Sequence, residues 1–227
     1  MKIAFVVLTC NSSIDQLRGA MDTWIKDIPD KHSIVLTGSQ DMPDQVDDIK
    51  IYKPFDRAES YDMLVEKMLI TYEHMLHQDW DYIFKCDDDT YVNIHKLIEF
   101  INSLQTTSVY VGHGQYVKDN TWFMCTKEKP VIDPNIHVTS YFAQGGAGYI
   151  MSRDVVNHVV SDKDYIMNKL NSKSKPIGED VAVGISAARH DVQLMSRPDL
   201  FDSGFKDWIR GTATKKSAQE AINEIAS

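Results

Sequence analysis

Tyr82-Ile83-Phe84-Lys85-Cys86-Asp87-Asp88-Asp89-Thr90-Tyr91-Val92-Asn93 sets three adjacent carboxylates at the end of an apolar, strand-forming segment. Repulsion within the triplet calls for a cation, and carboxylate oxygens suit hard divalent ions such as Mg²⁺ or Mn²⁺, which also bind substrate phosphates. An isolated acidic triplet can equally be a solvated turn, so its surroundings decide the reading. On its C-terminal side, Ile94, Leu97, Ile98, Ile101 and Leu104 recur at helical spacing. On its N-terminal side, within 59–78, Tyr61, Leu64, Val65, Met68, Leu69, Tyr72, Met75 and Leu76 line one helical face and read as core. The triplet therefore falls at a strand end between two helices.

Residues 3–8, 33–37, 82–84 and 109–111 read as strands, with helical patterns between them. That alternation predicts an α/β sheet with helices on its faces, whose ligands lie outside the carboxyl ends of the strands. With 227 residues, 43% of them hydrophobic, the chain suits one domain with a substantial core. There is no internal repeat, low-complexity tract or linker, so the domain is expected over 1–213. Residues 214–227 are expected to form a terminal helix, with Ala218, Ala221, Ile222 and Ile225 on one side for packing on the domain or on a second copy in a homo-oligomer.

A formal net charge of −9 argues against nucleic acid or an anionic membrane as partner, and an anionic substrate would need locally placed cations. Cys10, Cys86 and Cys125 have neither disulfide-framework nor zinc spacing and read as reduced thiols. The apolar opening of the chain is too short to span a bilayer and leads into Thr9-Cys10-Asn11, so it reads as a buried strand rather than a leader. No later segment reaches transmembrane length. The expectation is a soluble, cytoplasmic protein, with an excised luminal domain as the alternative.

Two further runs bear on chemistry. In Gln144-Gly145-Gly146-Ala147-Gly148, small residues allow close approach of a ligand or another strand, without the spacing of a phosphate loop or a dinucleotide fingerprint. A plain structural turn fits it as well. Glu179-Asp180 opens an apolar helical pattern: either carboxylate can cap the helix, or one can accept a proton from an attacking hydroxyl within hydrogen-bond reach. His74 and His77 lie three apart and could share a metal, but there is no HExxH, and no GxSxG supports serine hydrolysis.

Taken in order, these segments resemble the Fringe and β-1,3-galactosyltransferase family over nearly the whole chain. Arg18-Gly19-Ala20-Met21-Asp22-Thr23-Trp24 is similar to the family's Arg-rich segment ending in Glu/Asp-Thr-Trp, and 59–67 to its Tyr-x-Asn-Leu-Thr-x-Lys helix. Residues 85–93 resemble its Lys-x-Asp-Asp-Asp-x-Tyr/Phe-Val-Asn signature, Gly145-Gly146-Ala147-Gly148 the Fringe form GGAG, and 179–184 its Glu-Asp-Val-x-Val-Gly element. The resemblance implies a single GT-A domain, a Rossmann-like mixed and mostly parallel sheet flanked by helices.

It also implies an inverting glycosyltransferase that moves a hexose or N-acetylhexosamine from a UDP-sugar to a hydroxyl of a glycan or glycoconjugate, forming a β-1,3 linkage. Asp89 would bind Mn²⁺ or Mg²⁺, with Asp87 holding the metal or the donor, Asp88 the donor, and Asp180 acting as general base. Thr9, Asn11, Arg18 and Thr37 would bind the donor, and Gly145 and Gly146 would leave room for its sugar. Arg18 could instead be a surface charge and Thr9 a strand-end hydrogen-bonding residue. Where the family carries Leu-Phe-His-Ser-His, this chain reads Leu200-Phe201-Asp202-Ser203-Gly204, so Asp202 stands as an oxygen ligand in place of a histidine or as a helix cap. Two other readings are a degenerate nucleotide- or glycan-binding domain and a Mg²⁺-dependent phosphohydrolase. Tyr91 departs from the Thr or Val that the phosphohydrolase motif wants.

Overall fold

Ile3–Leu8 forms β1, buried along nearly its whole length, as a continuous run of apolar residues must be when both faces of a strand are covered. A computed structural model describes residues 1–57, 60–104, 108–116, 121–122, 131–132, 141–170, 177–197 and 199–201. Asp202, Cys125 and the terminal helix expected over 214–227 lie outside the described residues. After β1 come α1 (Ile14–Thr23), β2 (Ile34–Thr37), β3 (Gln45–Val46) and β4 (Ile49–Tyr52). Then follow α2 (Leu64–Leu76), β5 (Tyr82–Asp87), α3 (Ile94–Ser103), β6 (Tyr110–Gly112), β7 (Gly114–Tyr116), β8 (Thr121–Trp122) and β9 (Val131–Ile132). The chain continues through β10 (Tyr141–Ala143), β11 (Tyr149–Ser152), α4 (Arg153–Ser161), α5 (Lys163–Tyr165), α6 (Glu179–Arg189) and β12 (Met195–Ser196).

The main sheet has eight strands in the order β12-β6-β11-β5-β1-β2-β4-β3. β1 pairs in parallel with β2 and β5, whereas β11 runs antiparallel between β5 and β6. The mixed, mostly parallel sheet is the expected one. β10 with β7, and β8 with β9, make two small antiparallel ribbons. The β3–β4 hairpin turns over Asp47 and Asp48, and Asp47 takes the left-handed conformation such a turn needs, at φ 51°.

Alternation along β1 divides the core. Ala4, Val6 and Leu8 face one cluster with Val65, Met68, Tyr72, Val156 and Val183 of α2, α4 and α6, while Phe5 and Val7 face another with Leu17, Met21, Leu97 and Ile101 of α1 and α3. Strand β1 has the expected bounds, and β2 and β6 differ from theirs by a residue at one or both ends. β5 runs three residues beyond the apolar segment, because Lys85 and Cys86 are themselves buried. The α2 helix is shorter than its stripe and is preceded by a 3-10 turn at Tyr61–Met63. Asn93 caps α3, its side-chain oxygen accepting from Lys96 N at 3.1 Å. Among the described residues no helix is long and apolar enough to cross a membrane.

Gly148 enters β11 at φ 80°, where a Cβ would stand 2.7 Å from Phe84 Cζ and 3.2 Å from the Lys85 carbonyl oxygen. Gly148→Ala is therefore expected to cost about 2–4 kcal/mol through backbone strain and overpacking together. Urea unfolding checks this, and an unchanged midpoint would contradict it.

Candidate functional site

Three strand ends meet at one edge of the sheet. Thr9 N donates to Thr37 O at 3.0 Å and Asp88 N donates to Leu8 O at 3.0 Å, stitching the carboxyl ends of β1, β2 and β5 together. Outside them opens a cleft of about 760 Å³ lined by Thr9 and Asn11 after β1, Ser39 and Asp41 after β2, Lys67 of α2, and Asp87, Asp88 and Asp89. Asn11 N donates to Ser39 Oγ at 3.1 Å, and Ser39 Oγ donates to Asp41 Oδ1 at 2.6 Å. The Ser39 bond holds Asp41 below the usual carboxylate range, and that side chain is exposed. Lys67 is buried, with Nζ donating to Thr9 O at 2.9 Å, and supplies a cation to a cleft otherwise rich in carboxylates.

Asp88 accepts from Ser13 Oγ. Burial pushes Asp88 up to about 6, against the hydrogen bond from Ser13 that favours its ionised form. The folded state thus holds a proton between about pH 4 and 6 that the unfolded chain has released, so this group's contribution to stability falls as pH rises through that window. In metal-free buffer, Asp88→Asn is expected to stabilise the protein by about 2 kcal/mol at pH 8 and by nothing at pH 4. Thermal melts in EDTA at both pH values check the sign.

Behind the triplet lies a buried polar hub. Lys85, on the α2/α6 side of β5, is fully buried and donates to Asp87 Oδ1 at 2.9 Å, to Gly145 O at 3.5 Å and to Glu179 Oε1. Glu179 Oε2 accepts from Tyr149 Oη at 2.9 Å, and Tyr149 Oη is 2.8 Å from Tyr72 Oη. Burial works to lower the Lys85 ammonium, but Asp87 and Glu179 together outweigh it and hold it well above its ordinary value. Burial pushes Glu179 up to about 7 against the pull of Lys85.

Asp180 opens α6 beside this hub. Its Oδ2 accepts from Gly145 N at 3.0 Å and its Oδ1 from Val181 N at 2.8 Å, and the residue keeps an edge at the surface. Burial raises its carboxyl above the usual value, opposed by the Gly145 N–H, by Lys85 and by the Val181 N–H. Thr90 Oγ1 donates to Gly146 O at 2.9 Å, and Trp24 Nε1 donates to Thr90 O at 2.8 Å, so α1, the Asp loop and the Gly turn are pinned to one another.

The structure brings Thr9, Asn11, Asp87, Asp88 and Asp89 together around the cleft; Gly145, Gly146 and Asp180 do not line it but are joined to its acidic strand end through Lys85 and Thr90. Thr37 is fully buried at the end of β2, beneath the lining. Arg18 lies outside the lining, on the exposed face of α1, where it pairs with Asp15 at 3.2 Å. A Cβ on Gly145 would run into Glu179 Oε1 and stand 3.1 Å from Lys85 Nζ, so the space this glycine leaves is taken by the buried pair. His74 stacks on Tyr52 at 4.2 Å and contacts Gln78 Nε2 at 2.9 Å.

Sequence reading assigned no role to Lys85, Ser13, Ser39, Asp41 or Lys67. Lys85 had a signal, a lysine between buried-type residues inside a strand. Ser39 and Asp41 had none, since they reach the cleft only through the β2 pairing. Among the described residues no three His, Cys, Asp or Glu side chains are arranged to hold a metal. Asp87 and Asp89 nevertheless bring hard oxygen donors to the cleft, which fit Mg²⁺ or Mn²⁺ with substrate and water completing the shell.

A family model described as Fringe-like matches residues 2–210. Hydroxyproline O-galactosyltransferase GALT6 of Arabidopsis thaliana is 30% identical over 133 residues, covering 56% of this chain and 18% of that protein. The β-1,3-N-acetylglucosaminyltransferase lunatic fringe of Xenopus laevis is 26% identical over 146 residues, covering 59% of this chain and 35% of that protein. The match thus spans well under half the length of these relatives. Core-mannan synthase A from Aspergillus fumigatus, solved in its Mn/GDP form, superposes with a TM-score of 0.50 at 9% identity, covering 86% of this chain and 73% of that one. At that identity the likeness concerns the fold, which is of the GT-A kind.

Proposed function

Because this chain belongs to the Fringe-like family, we propose that it is an inverting glycosyltransferase, moving a hexose or N-acetylhexosamine from a UDP-sugar to a hydroxyl of a glycan or glycoconjugate. The observation that carries this reading is Asp180, oriented by two backbone N–H donors and joined through Gly145 and Lys85 to Asp87 in the lining of an acidic cleft. Both donors fix the carboxylate while leaving lone pairs for an incoming hydroxyl. In the reaction, Asp180 takes the acceptor proton as the acceptor oxygen attacks the anomeric carbon from the side opposite UDP. One in-line displacement inverts that carbon, and the raised carboxyl suits a base.

The names of the relatives support galactose or N-acetylglucosamine as the sugar and a β-1,3 linkage. Asp87 and Asp89 would hold a divalent cation, which when bound supplies charge neutralisation on the departing diphosphate. Thr9, Asn11 and Ser39 would hold the nucleoside end of the donor, and Lys67, which lines the same cleft, would offset the charge of its phosphates. The cytoplasmic placement expected from sequence gains no support from the relatives.

The test is UDP release from a panel of UDP-sugars with acceptor glycans, in Mn²⁺ and in EDTA. Metal-dependent release from one sugar is the expected result. Measurable UDP binding with no release from any sugar and acceptor would overturn the transferase reading in favour of a binding module, and phosphomonoester cleavage would overturn it in favour of a phosphohydrolase.

A further inference from the structure

We propose that the Lys85–Glu179 pair is a positioning strut that sets the place of Asp180 relative to the acidic strand end. The inference rests on the transferase reading and deepens it. Lys85 spends its three ammonium hydrogens on three separate elements: Asp87 at the end of β5, the Gly145 carbonyl in the turn before β11, and Glu179 in the first turn of α6. Glu179 is locked at both oxygens, by Lys85 on one and by Tyr149 Oη on the other, with Tyr72 Oη behind. Gly145 closes the loop, since its carbonyl takes Lys85 while its N–H holds Asp180. Asp180 is thus fixed twice, directly through Gly145 and through the neighbouring Glu179.

Stability gives no reason for these charges. A buried ion pair can often be replaced by apolar side chains of similar volume without loss of stability, because the desolvation cost of two ions rivals their attraction. What apolar side chains cannot do is hold three elements at fixed hydrogen-bond distances in fixed directions. A displacement of about 1 Å of a reacting group costs on the order of a hundredfold in rate, so a strut reaching from β5 to the residue beside Asp180 earns its place through turnover.

Three variants test this: Glu179→Leu, the isosteric Glu179→Gln, and Lys85→Met combined with Glu179→Leu, which removes both charges of the pair and also takes a partner from Asp87. For each, kcat and KM for the UDP-sugar, the Kd for UDP by calorimetry and Tm are measured. Glu179→Leu and the double variant are expected to lose about a hundredfold in kcat with a cooperative melt, and Glu179→Leu, which leaves the Lys85–Asp87 bond in place, is expected to keep KM and UDP affinity within threefold. Glu179→Gln keeps hydrogen bonds to Lys85 and Tyr149 and is expected to lose less than fivefold. Three results overturn the proposal: kcat within threefold of native in both leucine variants, equal losses in the Gln and Leu variants, or failure of both leucine variants to fold, which would make the pair a structural one. If the native protein itself releases no UDP, the transferase reading fails. Native turnover with unaffected variants fails only the strut.

Discussion

Asp180→Asn is expected to lower kcat by about a thousandfold or more while leaving the Kd for UDP within threefold. General-base removal costs roughly 10²–10⁴, and Asp180, held by Gly145 N and Val181 N, is not among the residues that line the cleft that would receive the nucleotide. The amide has one acceptor oxygen where the carboxylate offers two, so either the Gly145 or the Val181 N–H loses its partner. That costs about 1–3 kcal/mol of stability, which a melt reads separately from kcat. The native kcat should rise with pH along an acid limb set by Asp180, displaced upward from the usual carboxylate value because burial raises it. Native-like turnover in Asp180→Asn would sink the base assignment.

Asp89→Ala carries the second large effect. Its carboxylate lines the cleft next to Asp87 and Asp88, and its loss should weaken UDP binding in Mn²⁺ by about tenfold to a hundredfold while leaving binding in EDTA unchanged. Calorimetry with and without the metal separates the two contributions. Equal affinity of native and variant protein in Mn²⁺ would remove Asp89 from the ligand set.

Much of this architecture was legible in the sequence because local signals agreed. The run of apolar residues at 3–8, the helical stripe ending at Leu76 and the helical spacing from Ile94 to Leu104 each specify one element without help from the rest of the chain. The acidic triplet was legible as a strand end because apolar residues stop there. Illegible were relations that exist only after folding. Nothing near Ser39 or Asp41 indicates that β2 will deliver them beside Asn11, and a lysine in a strand does not announce which carboxylates will neutralise it. Likewise Gly145 reads as small but not as small for the sake of Glu179, which lies on another element.

Strand β11 runs against its neighbours, with Tyr149 opposite Lys85 and Ser152 opposite Tyr82. Its first residue therefore sits where β5 ends, which is what delivers the Gly turn to the triplet; a parallel strand in that slot would have delivered its outgoing loop instead. The cleft is assembled from the first ninety or so residues, whereas Asp180, the proposed proton acceptor, arrives only when β11 and α6 dock from far along the chain. Closing so long a loop is entropically slow. The chain should consequently form its site in sequence during folding, with the cleft assembled before Asp180 is in place.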